Sequence, residues 1–397
     1  MVLYAHGTST DRAFNIANLD DPQNAEGLLM ATLFAAQGYI VVAPNFAGYD
    51  SSTLSYHPYL VAEQQSGDMI DALSAARSAL PTAAAPLTRD NGRLFITGYS
   101  QGGYVAMATH RAMQAAQLPV TAAAPMSGPY AIAAFVDAIF AGRVNDGAPV
   151  FATLLISGYQ RSYGNLYAST ADIFEPAYAT GIDTLFPSST PRSTLYAQGK
   201  LPVDALFNVQ PPDPIYANIT PASLPANLAA VFTRGFGTMN LISNSYRRSF
   251  LLDAQANPDG GWPGITSGLA AAAPVLPLRR ALRLNDLRNW TPLSPVLLCG
   301  GNADPAVFWL NTQLLQSYWM MQSAASVRVL DLDGVASTAD PDATIKQQFV
   351  VARQLLAASA VLQGATDGGS AAVTAAYHST LLPPFCLAAV RSFFAAQ

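Results

Sequence analysis

Ser100 stands in the run Gly98-Tyr99-Ser100-Gln101-Gly102-Gly103, with a glycine two residues to either side. The run lies where an apolar strand pattern, Arg93-Leu94-Phe95-Ile96-Thr97, gives way to a helical one opening at Gln101. A serine on such a strand-to-helix turn is lifted clear of the backbone, and the flanking glycines let strand and helix approach where any Cβ would collide. A chance pentapeptide in a glycine-rich chain is the competing reading, and the strand before and helix after argue against it. Serine attacks a carbonyl only when a base takes its proton, so the motif calls for a histidine further on. Of the four histidines only His110 and His378 follow Ser100. His110 sits on the helix that starts after the serine, about two and a half turns away, and cannot reach back to the hydroxyl. His378, in Tyr377-His378-Ser379-Thr380 between the last strand and a final helix, is therefore the expected base.

The histidine needs an acid that fixes its tautomer and stabilises the cation it becomes. Asp304 fits, since the strand Val296 to Cys299 runs into Gly300-Gly301-Asn302-Ala303-Asp304-Pro305, a glycine-rich turn with one carboxylate. Asp331 and Asp333, after the next strand, are rivals, and an aspartate before proline is also an ordinary turn residue. Acyl transfer further requires donors aimed where the carbonyl oxygen turns negative. The expected pair is the backbone N–H of Gln101 and that of Thr8, in the loop His6-Gly7-Thr8. Gly7 then permits close approach, and His6 braces the loop by hydrogen bonding. His57, before Pro58, has no evident partner and reads as a plain loop residue.

Elements that would position these residues alternate regularly. Leu3 to Ala5 and Tyr39 to Ala43 read as buried strands, with a helical period from Glu26 to Gln37 between them. A helix from about Leu60 to Leu80, then strands at Val120 to Pro125, Pro295 to Cys299 and Val327 to Asp331, continue the pattern. Apolar strands separated by helices predict an α/β fold with a mostly parallel sheet covered on both faces. The rhythm breaks between about Gly128 and Trp290, where short helical pieces alternate with Pro-, Gly-, Ser- and Tyr-rich loops. The expected organisation is a core of residues 1–128 and 291–397, with a large, mainly helical cap, 129–290, inserted before the acid strand. Phe151, Tyr159, Tyr163, Tyr167, Phe232 and Phe236 of this insertion read either as pocket walls or, at helical spacing, as plain core.

Composition narrows the partners. In 397 residues, 51% are hydrophobic, 11% are charged and the net charge is −5, so no basic surface exists to neutralise a phosphate backbone and nucleic acid is not expected. No run approaches the roughly twenty unbroken apolar residues of a membrane span. Low charge, with lysine only at 200 and 346, suits a secreted or periplasmic bacterial protein, although Met1 to Gly7 carries neither a basic start nor a cleavage pattern. Cys299 and Cys386 flank the acid and the base; they read either as a disulfide, which would indicate an oxidising compartment, or as two buried thiols. No His or Cys cluster has metal-ligand spacing and no phosphate loop is present, so no metal and no cofactor is expected.

The order His6-Gly7, Gly98-x-Ser100-x-Gly102, Asp304, His378, with a helical insertion before the acid strand, resembles the secretory lipase branch of the α/β-hydrolases, which includes bacterial and fungal lipases and esterases. The resemblance covers nearly the whole chain, but only the serine motif is specific. It implies the α/β-hydrolase fold and cleavage of carboxylic esters, short to medium acyl esters or acylglycerols, without a cofactor. Relatives carry strands before the oxyanion loop that are missing here, which implies a truncated start or a smaller sheet with an exposed edge suited to a homodimer. The nearest rival is a serine peptidase of the prolyl-oligopeptidase type, which shares fold and chain order but usually adds an N-terminal domain.

Overall fold

A computed structural model describes residues 1–21, 24–82, 84–322 and 326–397 of the chain. Its strands are Val2–Ala5 (β1), Val41–Val42 (β2), Phe95–Tyr99 (β3), Ala122–Met126 (β4), Val296–Gly300 (β5) and Val327–Asp331 (β6). Among the described residues they form one sheet in the order β2-β1-β3-β4-β5-β6, every neighbouring pair parallel. Parallel pairing needs a crossover between strands, and the helices supply it. The pattern Tyr39 to Ala43 yields only the two-residue β2, because Gly38 takes a left-handed conformation and Pro44 lacks a ladder donor. The other strands lie within two residues of their sequence expectation.

Alternation along β1 shows how the sheet is covered. Leu3 and Ala5 join the core with Ile96, Ala123 and Leu298, under the helices Ala62–Ala79 and Gln101–Ala115. Val2 and Tyr4 point the opposite way, with Phe95, Ala124 and Leu297, against the helices Ala25–Leu33 and Leu382–Ala395. The helical stretch Ser370–Ala395 is long and apolar enough by composition to cross a membrane. Its second half instead packs Leu387, Val390 and Phe394 on this sheet face, which accounts for its apolarity. Cys386 of the same helix forms a disulfide with Cys299 of β5, closing a loop of 87 residues.

Between β4 and β5 the described residues form helices and turns, including Ile132–Phe140, Ala148–Tyr163, Asn244–Ala256 and Pro277–Asn285. No position of Ile132–Phe140 is exposed. Buried ion pairs tie these helices together: Arg279 bonds Asp137 through two nitrogens, at 3.0 and 2.7 Å, and meets Asp253 at 3.2 Å. Arg288 bonds Asp259 at 2.6 Å and Asp286 at 2.8 Å, and the Asp286 carboxylate accepts the Ala133 N–H. Charges this deeply buried are tolerated only when paired and hydrogen-bonded.

Burial holds His6, His57 and His110 neutral. Desolvation lowers His6 and His110 from the ordinary 6.5 to about 4, and His57 to about 3. Such groups bind protons more readily in the unfolded chain, so the stability they contribute is complete above pH 6.5 and is lost as pH falls toward 4. Replacing His110, whose ring meets Trp290 edge-on at 5.0 Å, with Phe removes one of the three. The drop in the urea midpoint between pH 7 and pH 4 is expected to be smaller in His110→Phe than in the wild type; an equal drop in both would contradict the assignment. The disulfide leads to a second expectation. Without reductant neither cysteine should alkylate even in the denatured protein, and Cys299→Ala/Cys386→Ala should lower stability by roughly 2–4 kcal/mol in thermal or urea unfolding.

Candidate active site

The carboxyl ends of the strands gather the predicted residues. Register places Ala5 beside Gly98, Tyr99 beside Met126, and Met126 beside Cys299, so the turns after β1, β3, β4 and β5 open on the same edge. Ser100 caps the helix Gln101–Ala115 at φ 59°, ψ −121°, a strained conformation for a residue with a Cβ, and its N–H donates to Met126 O at 3.0 Å. The glycines explain why the turn holds. A Cβ on Gly98 would strike the carbonyls of Gly102 and Ala5, and one on Gly102 would strike the backbone of Ala5 and His6.

His378 arrives from the far end of the chain on a π-helical turn, Tyr377–Leu381, preceded by two helices after β6, Ala343–Leu362 and Ser370–Ala376. Its Nε2 lies 2.8 Å from Ser100 Oγ and its Nδ1 lies 2.7 Å from Asp304 Oδ2. The carboxylate can only accept, so Nδ1 carries the proton and Nε2 presents its lone pair to the serine hydroxyl. Asp304 is fully buried, and its other oxygen accepts the N–H groups of Ala306 and Val307 at 2.9 and 3.0 Å. The rivals do not reach the histidine: Asp331 accepts the N–H of Asn302 and Asp333 that of Ala303.

The loop after β1 is shaped for one free donor. The Gly7 N–H is committed to Glu26 at 2.8 Å, and burial raises the pKa of that carboxyl. Among the described residues the N–H groups of Thr8 and Gln101 have no partner, on the two turns that Gly102 and His6 bring into contact. His6 lies between Phe14 and Phe46, its ring nitrogens 2.7 and 3.0 Å from the carbonyls of Gly7 and Asn45, as a brace for this loop.

Several contacting residues carry no sequence signal. Tyr99 donates to the His378 carbonyl at 2.6 Å, and the hydroxyls of Tyr59 and Thr8 share a hydrogen bond at 3.0 Å. His57, read as an unpartnered loop residue, is buried beside the site. Its Nδ1 lies 2.8 Å from Ala47 O, and its Nε2 accepts the Gln101 side-chain amide at 2.6 Å. The sequence gives no means of pairing residues 57 and 101, since the loop of His57 meets the helix of Gln101 only in the fold.

An apolar cavity leads away from the serine, lined at its start by Tyr59, Gln101 and Pro129 and along its length by Ile132, Val136 and Phe140. Pro129 follows β4, whose last residue touches the serine turn, so Ile132 marks the near end. Phe140 lies eight residues, or about 12 Å, further along the helix, stacked on Phe250 at 3.7 Å. Of the six aromatic residues singled out in the insertion, Phe151 lines this cavity. Tyr159, Phe232 and Phe236 are buried core residues, and Tyr163 and Tyr167 pack against the core half-buried.

The sequence pattern of the prolyl oligopeptidase family matches residues 28–127, which include Ser100 but neither Asp304 nor His378. No curated protein matches the chain. The rice cell wall degrading esterase LipA from Xanthomonas oryzae superposes with a TM-score of 0.63 at 25% identity, covering 89% of this chain and 80% of LipA. A provisionally named hydrolase from Legionella pneumophila subsp. pneumophila str. Philadelphia 1 gives a TM-score of 0.63 at 18% identity, over 100% of this chain and 79% of its own. With its parallel sheet and the serine turn between β3 and its helix, the chain has the α/β-hydrolase fold.

Proposed function

We propose that this chain is a serine carboxylic ester hydrolase acting through an acyl-enzyme on short to medium acyl esters. The observation that carries the reading is the unbroken line from Ser100 Oγ through the imidazole of His378 to the buried carboxylate of Asp304. As the serine oxygen attacks the ester carbonyl, His378 Nε2 takes its proton, and Asp304 stabilises the imidazolium. The N–H groups of Gln101 and Thr8 receive the oxyanion. The imidazolium then protonates the departing alkoxide, leaving the acyl group on Ser100. Water, deprotonated by the same nitrogen, reverses these steps and releases the acid.

The cavity beside Ser100 supports an acyl group as the part held. Its polar lining is confined to Ser100, Gln101, Asn145 and the Tyr59 hydroxyl, and none of the lining residues is charged. The likeness to LipA, named as an esterase, points the same way. Residues 129–290 then act as a cap on a core of 1–128 and 291–397, since Ile132–Phe140, Ala148–Tyr163 and Pro277–Asn285, which supply most of the cavity lining, belong to them. The buried disulfide favours a secreted or periplasmic setting. A peptidase reading draws on the prolyl oligopeptidase match, yet the matched segment holds only the serine turn common to both activities. Turnover of an aminoacyl anilide without turnover of p-nitrophenyl esters would favour the peptidase.

Ser100→Ala should fold normally and reduce kcat on p-nitrophenyl butyrate by roughly 10⁴–10⁶-fold; wild-type turnover in that variant would end the proposal. Val136→Trp, placed halfway along the cavity, should shift preference from octanoate toward acetate while leaving acetate turnover within about threefold. An unchanged profile across acetate, butyrate, octanoate and palmitate esters would exclude this cavity as the acyl site.

A further inference from the structure

Asp333 is placed where it meets both of the segments that serve Ser100. One oxygen of its carboxylate accepts the N–H of Ala303 at 2.7 Å, next to Asp304, and also the phenol of Tyr377, next to His378. The other oxygen pairs with Arg353 on the helix Ala343–Leu362. The Tyr377 phenol occupies the space a side chain at position 301 would fill, against Gly301 of the acid turn. Its ring is buried and meets Phe349 edge-on at 5.7 Å, so the phenol has little freedom to follow a displaced partner. Asp331 makes a comparable bond to Asn302, but among the described residues no hydrogen bond links its side chain to the histidine segment.

We infer that Asp333 is a positioning residue, holding the acid turn in register with the histidine segment through Ala303 and Tyr377; this rests on the hydrolase reading above. The disulfide joins the same two regions, but at Cys299, within β5, and at Cys386, inside the final helix. It fixes the elements but does not itself tie the turn to the histidine segment. The Asp304 oxygen facing His378 sits on that turn, and a displacement of about 1 Å there is enough to lower turnover by roughly a hundredfold. A single carboxylate oxygen accepting from both sides makes that tie.

The test compares Asp333→Ala in two backgrounds, with p-nitrophenyl butyrate as probe and the Ser100→Ala rate subtracted. In the wild type the variant should lower kcat by roughly 10–100-fold with KM within about twofold, and Asp333→Asn, which keeps an acceptor, should recover most of the loss. In an Asp304→Asn background the same change should lower kcat by less than about threefold, because the carboxylate it positions is already gone. Equal losses in both backgrounds, or a loss expressed in KM alone, would overturn the proposal. If Asp333→Ala does not fold, Tyr377→Phe removes only the phenol oxygen and is judged by the same comparison. Full activity of Ser100→Ala would instead refute the hydrolase reading, an outcome distinct from either result at Asp333.

Discussion

The contact on which the rest of the molecule depends is between two stretches of backbone. The turn carrying Ser100 presses against the end of β1 so closely that Gly98 and Gly102 leave no room for a single carbon beside the Ala5 carbonyl. That approach does three things together. It exposes the serine hydroxyl at positive φ, it brings the Gln101 N–H beside the loop of Thr8, and it closes the sheet between β1 and β3. Each follows from the absence of a side chain, so the glycines matter here through what they exclude.

This is why so much of the centre could be read from the sequence. A glycine-serine-glycine spacing between an apolar strand and a helix is a local pattern with a steric cause, and it locates both the serine and its turn. The histidine followed by elimination, since His110 is barred by helix geometry. The aspartate that meets the histidine, Asp304, was marked by a glycine-rich turn at the end of a buried strand, with Asp331 and Asp333 as rivals. The strands were legible because a parallel sheet buried on both faces demands continuous apolar runs, and only Tyr39 to Ala43 fell short, cut back by Gly38 and Pro44.

What escaped the sequence was lateral. Tyr59, Glu26 and His57 reach the site across the fold, and no periodicity links residue 26 to residue 7 or residue 57 to residue 101. His57 was misjudged for the same reason. A histidine before proline looks solvated until tertiary packing buries it among aromatic rings, and its burial then forces it to be a neutral acceptor. The two cysteines were an even choice on spacing alone; only the approach of the final helix to β5 joins them.

The paired arginines between β4 and β5 bear on how a molecule reaches the serine. Arg279 and Arg288 fasten the helix Ile132–Phe140 to its neighbours through carboxylates sealed from water. Swinging that helix outward would leave unpaired ions in an apolar interior, at a cost of about 3–5 kcal/mol for each broken pair. The cavity wall formed by that helix therefore behaves as a fixed surface, whereas on the facing wall Ala148–Tyr163 is fastened by hydrogen bonds from Tyr159 to Leu60 and from Asn285 to Tyr163 and by an exposed pair between Arg161 and Asp183.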